Sequence, residues 1–177
     1  MIRRFSSRTA RLDQTFLRDR LQGARRYLRI AGYFRSSLLE LVREEISAVG
    51  EVRIVCNSDL DPKDIATARS AAQRTHALKE SWYMGDAEAE VTFSRRRYQD
   101  LYDLLRTGRV EVRGVGRTET AFLHGKAGVI EAADGRRTAF MGSANETREA
   151  WTENYEIVWE DDSDEAVRWV TEEFDHL

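Results

Sequence analysis

Residues 122–145 read FLHGKAGVIEAADGRRTAFMGSAN. Two β-prone runs, FLHGKAGVIE (122–131) and RTAFMGS (137–143), flank AADG (132–135). Asp134-Gly135 is a hairpin signal, because glycine supplies the positive φ that a tight turn demands. Alternation along the first run puts His124 and Lys126 on one face of a strand. Burying two basic side chains together is costly without anionic company. The pair stands out because the chain has three histidines and three lysines, 25 of its 28 basic residues being arginine. The hairpin brings MGSAN (141–145) to the same end as His124. Gly142 allows a tight turn or a close approach, Ser143 brings a hydroxyl and Asn145 an amide. After a short helix, ETREAW, the run NYEIVWE (154–160) reads as a further strand, opened by Glu156.

Outward from this hairpin, helical and strand patterns alternate. Residues 13–24 read as a helix capped by Asp13, with Phe16, Leu17 and Leu21 inward. YLRIAGYF (27–34) and EVRIVCN (51–57) read as strands. Between them Ser36 or Ser37 caps a helix carrying Leu38, Leu41, Val42 and Ile46, which Gly50 ends. Asp61-Pro62 starts a long helix to about Lys79, since proline at the first helical position loses no hydrogen bond. WYMGDAEAEVTF (82–93) reads as a loop or a lid. RRRYQDLYDLLRTG (95–108) is a helix ended by Gly108, VEVRGVG (110–116) a strand, and 163–176 a last amphipathic helix capped by Ser163 or Asp164. The expected class is α/β: one layered domain over 1–177, with a mixed central sheet flanked by helices.

Composition narrows the function classes. No run approaches the roughly eighteen apolar residues of a membrane span, and the N-terminus has no signal-peptide core, so the expectation is a cytoplasmic protein with no membrane partner. The lone Cys56 allows neither a disulfide framework nor a zinc cluster within the chain, and reads as a small buried hydrophobe. The net charge is −3, unevenly spread. Residues 1–35 hold ten arginines against Asp13 and Asp19, whereas 146–177 hold twelve acids against Arg148 and Arg168. The N-terminal arginines are thus a candidate phosphate-contacting face. Tyr33 and Phe34 end a strand whose carboxyl end faces the expected cleft, and with Arg35 are candidates to stack on bases and meet phosphates, plain core packing being at least as strong a reading for the two rings. Turn chemistry accounts for Asn57, Ser58 and Asp59, core packing for Trp151 and Trp159. His76 is expected on a helix surface, His176 at a frayed end.

His124-Gly125-Lys126, Gly142-Ser143-Ala144-Asn145 and a Glu156 eleven residues after Asn145 together resemble the phospholipase D superfamily pattern. RIAGYFRSSLLELV (29–42) and RIVCNSDLDP (53–62) further resemble the phospholipase D-like domain found N-terminal to bacterial DEAD/DEAH-type helicases, some of them in anti-phage systems. The core pattern covers about 120–160, the wider likeness about 12–160. Two features depart from the family. Glu131 stands where an Asp is common, and the stretch from Lys126 to Gly142 is longer than in compact members.

The resemblance implies a metal-independent phosphodiesterase needing no cofactor. One neutral imidazole attacks phosphorus and a second, protonated one gives its proton to the leaving oxygen, through a phosphohistidine. Lysines and asparagines hold the non-bridging oxygens, with Ser143 beside them, and Glu156 fixes an imidazole's tautomer. The family's centre uses two His-x-Lys units and this chain has one, so the expectation is a homodimer pairing two His124 residues across a twofold axis. The expected substrate is DNA, with RNA left open, and a helicase or ATPase domain is an expected partner in repair or anti-phage defence. The alternative is a non-catalytic DNA-binding or dimerisation module that keeps the phosphate pocket. A lipid phosphodiesterase ranks last, for want of an amphipathic membrane face.

Overall fold

In the computed structural model residues 1–57, 60–81, 96–115 and 122–177 are described, for 74–81 by backbone alone. The expectations placed on Ser58, Asp59, the 82–93 lid, Gly116 and the side chain of His76 lie outside the described residues. Seven strands form one mixed sheet in the order β1-β7-β6-β5-β2-β3-β4. They are β1 (Arg3–Ser6), β2 (Arg26–Ile30), β3 (Glu51–Asn57), β4 (Val110–Val115), β5 (Ala127–Glu131), β6 (Arg137–Gly142) and β7 (Ile157–Asp161). β2, β3 and β4 run parallel, while β5, β6, β7 and β1 alternate in direction. Consequently the carboxyl ends of β2, β3 and β6 and the amino ends of β5 and β7 share one edge of the sheet.

The helices are α1 (Arg18–Leu21, entered through a π-type turn Asp13–Leu17), α2 (Leu39–Ala48, entered through a 3-10 turn Ser36–Leu38), α3 (Pro62–Ser81), α4 (Arg96–Arg106), α5 (Arg148–Thr152) and α6 (Asp164–His176). The two sheet faces are unequally covered. Tyr27, Val52, Ile54, Ile130, Phe140 and Val158 bury one face under α1, α2, α4 and α5, with Phe16, Leu38, Leu101 and Trp151 at the centre. Leu28, Val55, Val129 and Ala139 bury part of the other under α6, through Val167, Val170 and Phe174. Cys56 is fully buried, and desolvation pushes its thiol up to about 11, fitting a packing role. Among the described residues no helix is long and apolar enough to cross a membrane.

Several local readings hold at the residue level. Gly135 takes φ 83° in the hairpin between β5 and β6. Asp61 Oδ1 accepts from the Lys63 amide at the start of α3, and Ser163 Oγ from the Ala166 amide at the start of α6.

Others need correction. Asp13 does not cap. It is buried and forms a two-pronged pair with Arg11, at 3.0 and 2.9 Å. Ser36 and Ser37 do not cap their own helix. Asp64 accepts from the Ser36 amide (2.9 Å), and Ser37 Oγ accepts from the Arg148 amide (3.2 Å), so these caps are supplied between elements. Trp159 is not core but 45% exposed, with the Arg4 guanidinium 4.8 Å above its ring. β1 has no counterpart in the sequence reading.

β1 also revises the charge reading. The basic N-terminal segment lies against the acidic C-terminal one, and Glu160 takes both Arg3 (3.4 Å) and Arg20 (2.5 Å). The N-terminal ammonium meets Asp162, while Arg26 pairs with Glu51 and Arg29 with Glu146. Five of the ten N-terminal arginines, Arg3, Arg11, Arg20, Arg26 and Arg29, are thus spent on carboxylates rather than offered together as a face for phosphate.

Candidate active site

The site lies on the shared sheet edge. β5 starts only at Ala127, so His124 and Lys126 sit on the extended lead-in to the strand, not within it. Their placement still follows the hairpin, because the Gly142 amide donates to the Lys126 carbonyl (3.0 Å). Ser143 is fixed from the other side. Its amide donates to the Ile157 carbonyl and its hydroxyl accepts from the Ile157 amide, both at 3.1 Å. That leaves the hydroxyl proton available to donate. A Cβ on Gly142 would collide with the Ile157 carbonyl, so the close approach of β6 and β7 requires glycine there.

Gly32 is the floor of the site. A Cβ built on it would stand 3.0 Å from Asn145 Oδ1, 3.4 Å from Lys126 Nζ and 3.8 Å from His124 Nδ1. Three polar side chains from two separate loops therefore converge over one backbone position. Asn145 is oriented by the Tyr33 amide, which donates to Oδ1 at 3.1 Å. That frees its amide NH₂ to donate. Lys126 Nζ donates to the His124 carbonyl (2.9 Å) and lies 3.5 Å from both imidazole nitrogens. His124 itself is exposed and stacks on Phe122, with centroids 6.3 Å apart.

Partial burial holds the Lys126 ammonium below its ordinary value; Arg29 pushes the same way and Glu156 opposes. Glu156 is buried and acts on Lys126 through charge. No hydrogen bond joins it to His124 among the described residues. Its backbone is pinned instead, the Glu156 amide donating to Ser7 Oγ (2.8 Å) and the Ser7 amide to the Glu156 carbonyl (3.0 Å).

The weaker nucleic-acid candidates divide. Phe34 is 4% exposed and belongs to the core, so it cannot stack on a base. β2 ends at Ile30, and Phe34 instead forms an isolated bridge with Glu146. Tyr33 is half-buried and edge-on to Phe122 (6.3 Å), which makes Phe122, absent from the sequence reading, the exposed aromatic at this rim. Arg35 is exposed.

Two further residues position the site. Asn57 is buried, and its Nδ2 donates to the Gly32 carbonyl (2.7 Å) and the Leu123 carbonyl (2.5 Å), bracing floor against lead-in. Arg29, 1% exposed, donates to Glu146 Oε1 and the Ala144 carbonyl, each at 2.5 Å. Glu146 also ties to the Tyr33–Arg35 backbone, donating its amide to the Tyr33 carbonyl and accepting from the Arg35 amide (both 3.0 Å). This buried pair thus holds both ends of Ala144–Glu146. The signal available in sequence was an arginine inside an apolar strand, which demands a buried anion.

The family described as cardiolipin synthase, PLD-like domain, matches residues 17–177. The chain belongs to the phospholipase D-like family. Solved relatives of this phospholipase D-like chain share its architecture. NucT from Helicobacter pylori superposes with a TM-score of 0.55 at 12% identity, covering 99% of this chain and 94% of that one. Nuc, a phospholipase D family member from Salmonella typhimurium, gives 0.55 at 15% identity over 99% and 92%. A mutant form of yeast tyrosyl-DNA phosphodiesterase 1 gives 0.53 at 14%, over 90% of this chain and 32% of that one, so the phospholipase D-like chain spans about a third of its length. At these identities the likeness shows the fold. No curated protein matches the chain closely enough to count as a relative.

The floor offers a direct test of the geometry. If the side chains over this floor are reacting groups, Gly32→Ala lowers the rate of their reaction by about 10- to 100-fold, because displacing reacting groups by a fraction of an ångström costs rate steeply. The φ of Gly32 is not in the left-handed region, so unfolding stability should change by less than about 1 kcal/mol. Cleavage kinetics and thermal unfolding of the one variant separate the two effects.

Proposed function

We propose that this chain is a metal-independent phosphodiesterase that cleaves DNA at a site shared by two copies. The observation that carries the reading is the convergence of His124, Lys126 and Asn145 over Gly32. These are one nucleophile-capable imidazole, one cation and one amide donor around a single point, which is the equipment for an anionic diester. The phosphodiesterase named among the solved structures of the same fold supports the reaction class.

In the proposed path, His124 of one copy attacks phosphorus and the P–O bond to the leaving oxygen breaks. The other copy's His124 donates the proton that oxygen takes up. Water then attacks phosphorus and gives its proton back to the second imidazole, the P–N bond breaks, and the first imidazole leaves as the free base. Lys126, the Asn145 amide and the Ser143 hydroxyl hold the non-bridging oxygens as charge builds. Glu156 opposes the lowering that burial and Arg29 impose on the Lys126 ammonium. The likeness of residues 29–42 and 53–62 to helicase-linked domains supports work beside a helicase-type ATPase, in repair or anti-phage defence.

Two displacements at phosphorus imply retention of configuration. A DNA substrate with one chiral phosphorothioate at the scissile position, cleaved in oxygen-18 water, is therefore expected to give product of retained configuration. Inversion would mean that water attacks directly, and would remove the phosphohistidine step.

A further inference from the structure

Strand by strand, the sheet edge that carries the site presents a row of short segments. In the order β1-β7-β6-β5-β2 they are the turn after β1, the entry to β7, the loop after β6, the lead-in to β5 and the segment after β2. His124 and Lys126, on the lead-in to β5, stand within that row, and aromatic rings flank them. On the β7 side is Tyr155, 71% exposed, two strand spacings or roughly 10 Å along the edge. On the β2 side is Phe122, 41% exposed, with its centroid 6.3 Å from the Tyr33 ring and 6.3 Å from the His124 imidazole. None of these rings belongs to either hydrophobic core, so the packing of the sheet does not account for their position.

The charge along the same edge is sparse. Among the described residues its cations are Lys126 and the exposed Arg8 and Arg35, and Glu156 stands beside them. A duplex is held through many phosphate contacts and keeps its base faces stacked inside, out of reach of side chains. An unpaired strand needs fewer cations and offers its base faces to aromatic rings. Few cations and rings on both sides of the imidazole suit the second. We infer that the site takes a single, unpaired DNA strand laid along the sheet edge, with Phe122 and Tyr155 stacking on bases either side of the phosphate that His124 meets. This rests on the phosphodiesterase reading above and names the form of its substrate. Phe122 and Tyr155 are then specificity-determining residues. A duplex reaches the same contacts only by giving up its own pairing and stacking.

The test uses the whole chain and one end-labelled oligonucleotide, alone or annealed to its complement, at one salt concentration. Wild type is expected to cleave the single strand with kcat/KM tenfold or more above that for the duplex, since opening the duplex costs at least that. Phe122→Leu and Tyr155→Ser should each raise KM for the single strand by roughly 5- to 150-fold, the loss of one stacked base. Their kcat should stay within about threefold of wild type, and Phe122→Trp and Tyr155→Phe should restore KM. The split matters because Phe122 also touches His124, and a disturbed imidazole would lower kcat instead. If Phe122→Leu fails to fold, the exposed Tyr155 carries the same criteria. Equal cleavage of the two forms, or an unchanged KM in a folded variant, overturns the inference and leaves the phosphodiesterase reading standing. If wild type cleaves neither form, that reading falls, and fluorescence anisotropy of the labelled strand judges the rings alone. Tighter binding of the single strand that both variants weaken upholds them, and equal affinity for the two forms overturns them.

Discussion

His124→Ala is expected to lower the rate of DNA cleavage by roughly 10⁴-fold or more while leaving the fold intact. In the proposed two-copy site, one substitution removes the attacking imidazole and the proton donor together. General acid–base catalysis alone is worth about 10²- to 10⁴-fold, and loss of a nucleophile more. Stability should hardly move. His124 is exposed, held to Lys126 through its carbonyl and loosely stacked on Phe122. Exposed substitutions of this kind stay within about 0.5 kcal/mol. The pairing of a collapsed rate with an unchanged unfolding transition is the signature of a reacting group. A variant that cleaves DNA at the wild-type rate would move the chemistry elsewhere.

Arg29→Met carries the largest expected loss of stability, about 3–5 kcal/mol, because it strands Glu146 as a buried, unpaired charge. It also deprives the Ala144 carbonyl of its donor. In a chain of this size that is roughly 10 °C in the unfolding midpoint. The double variant with Glu146→Met should be markedly less damaged than the two single losses added, since the uncompensated charge is gone. A loss below about 1 kcal/mol for Arg29→Met would show that the pair does not anchor the Ala144–Glu146 segment. The variant also has a chemical readout. Burial and the Arg29 charge both hold Lys126 below its ordinary value, Glu156 opposing, with His124 as its other close titratable neighbour. Removing Arg29 removes one lowering influence, so the Lys126 ammonium persists to higher pH. The alkaline limb of kcat/KM should shift upward, measured below the lowered midpoint, an effect that packing damage alone would not produce.

What the sequence makes legible is what local chemistry decides. Asp134-Gly135 turns the hairpin as its residues demand, and Asp61-Pro62 and Ser163 start their helices. Because the hairpin forms where its residues demand, His124, Lys126 and Asn145 come together at its end. What is illegible depends on partners far along the chain. β1 is four residues, Arg-Arg-Phe-Ser, with no periodicity of its own, and it is a strand because β7 and Glu160 offer it an edge and a carboxylate. Asn57 looks like a turn residue until the Gly32 and Leu123 carbonyls are seen facing it. Phe34 takes the core place, one of its two readings, and Trp159 leaves the core place expected of it, for one reason. Aromatic character says that a ring is apolar, and only the covering of each sheet face says whether it is buried. Glu156 lies at the expected end of β7, but its charge meets Lys126 and not a bonded imidazole.

The measurement that tests the central claim most directly is cleavage of DNA by the wild-type chain in excess chelator. In the proposed path His124, Lys126, Ser143 and Asn145 supply nucleophile, proton and charge without a metal, so strand scission should proceed at the same rate with EDTA as without it. Cleavage that appears only on adding a divalent cation, or DNA bound and never cut, would contradict the account.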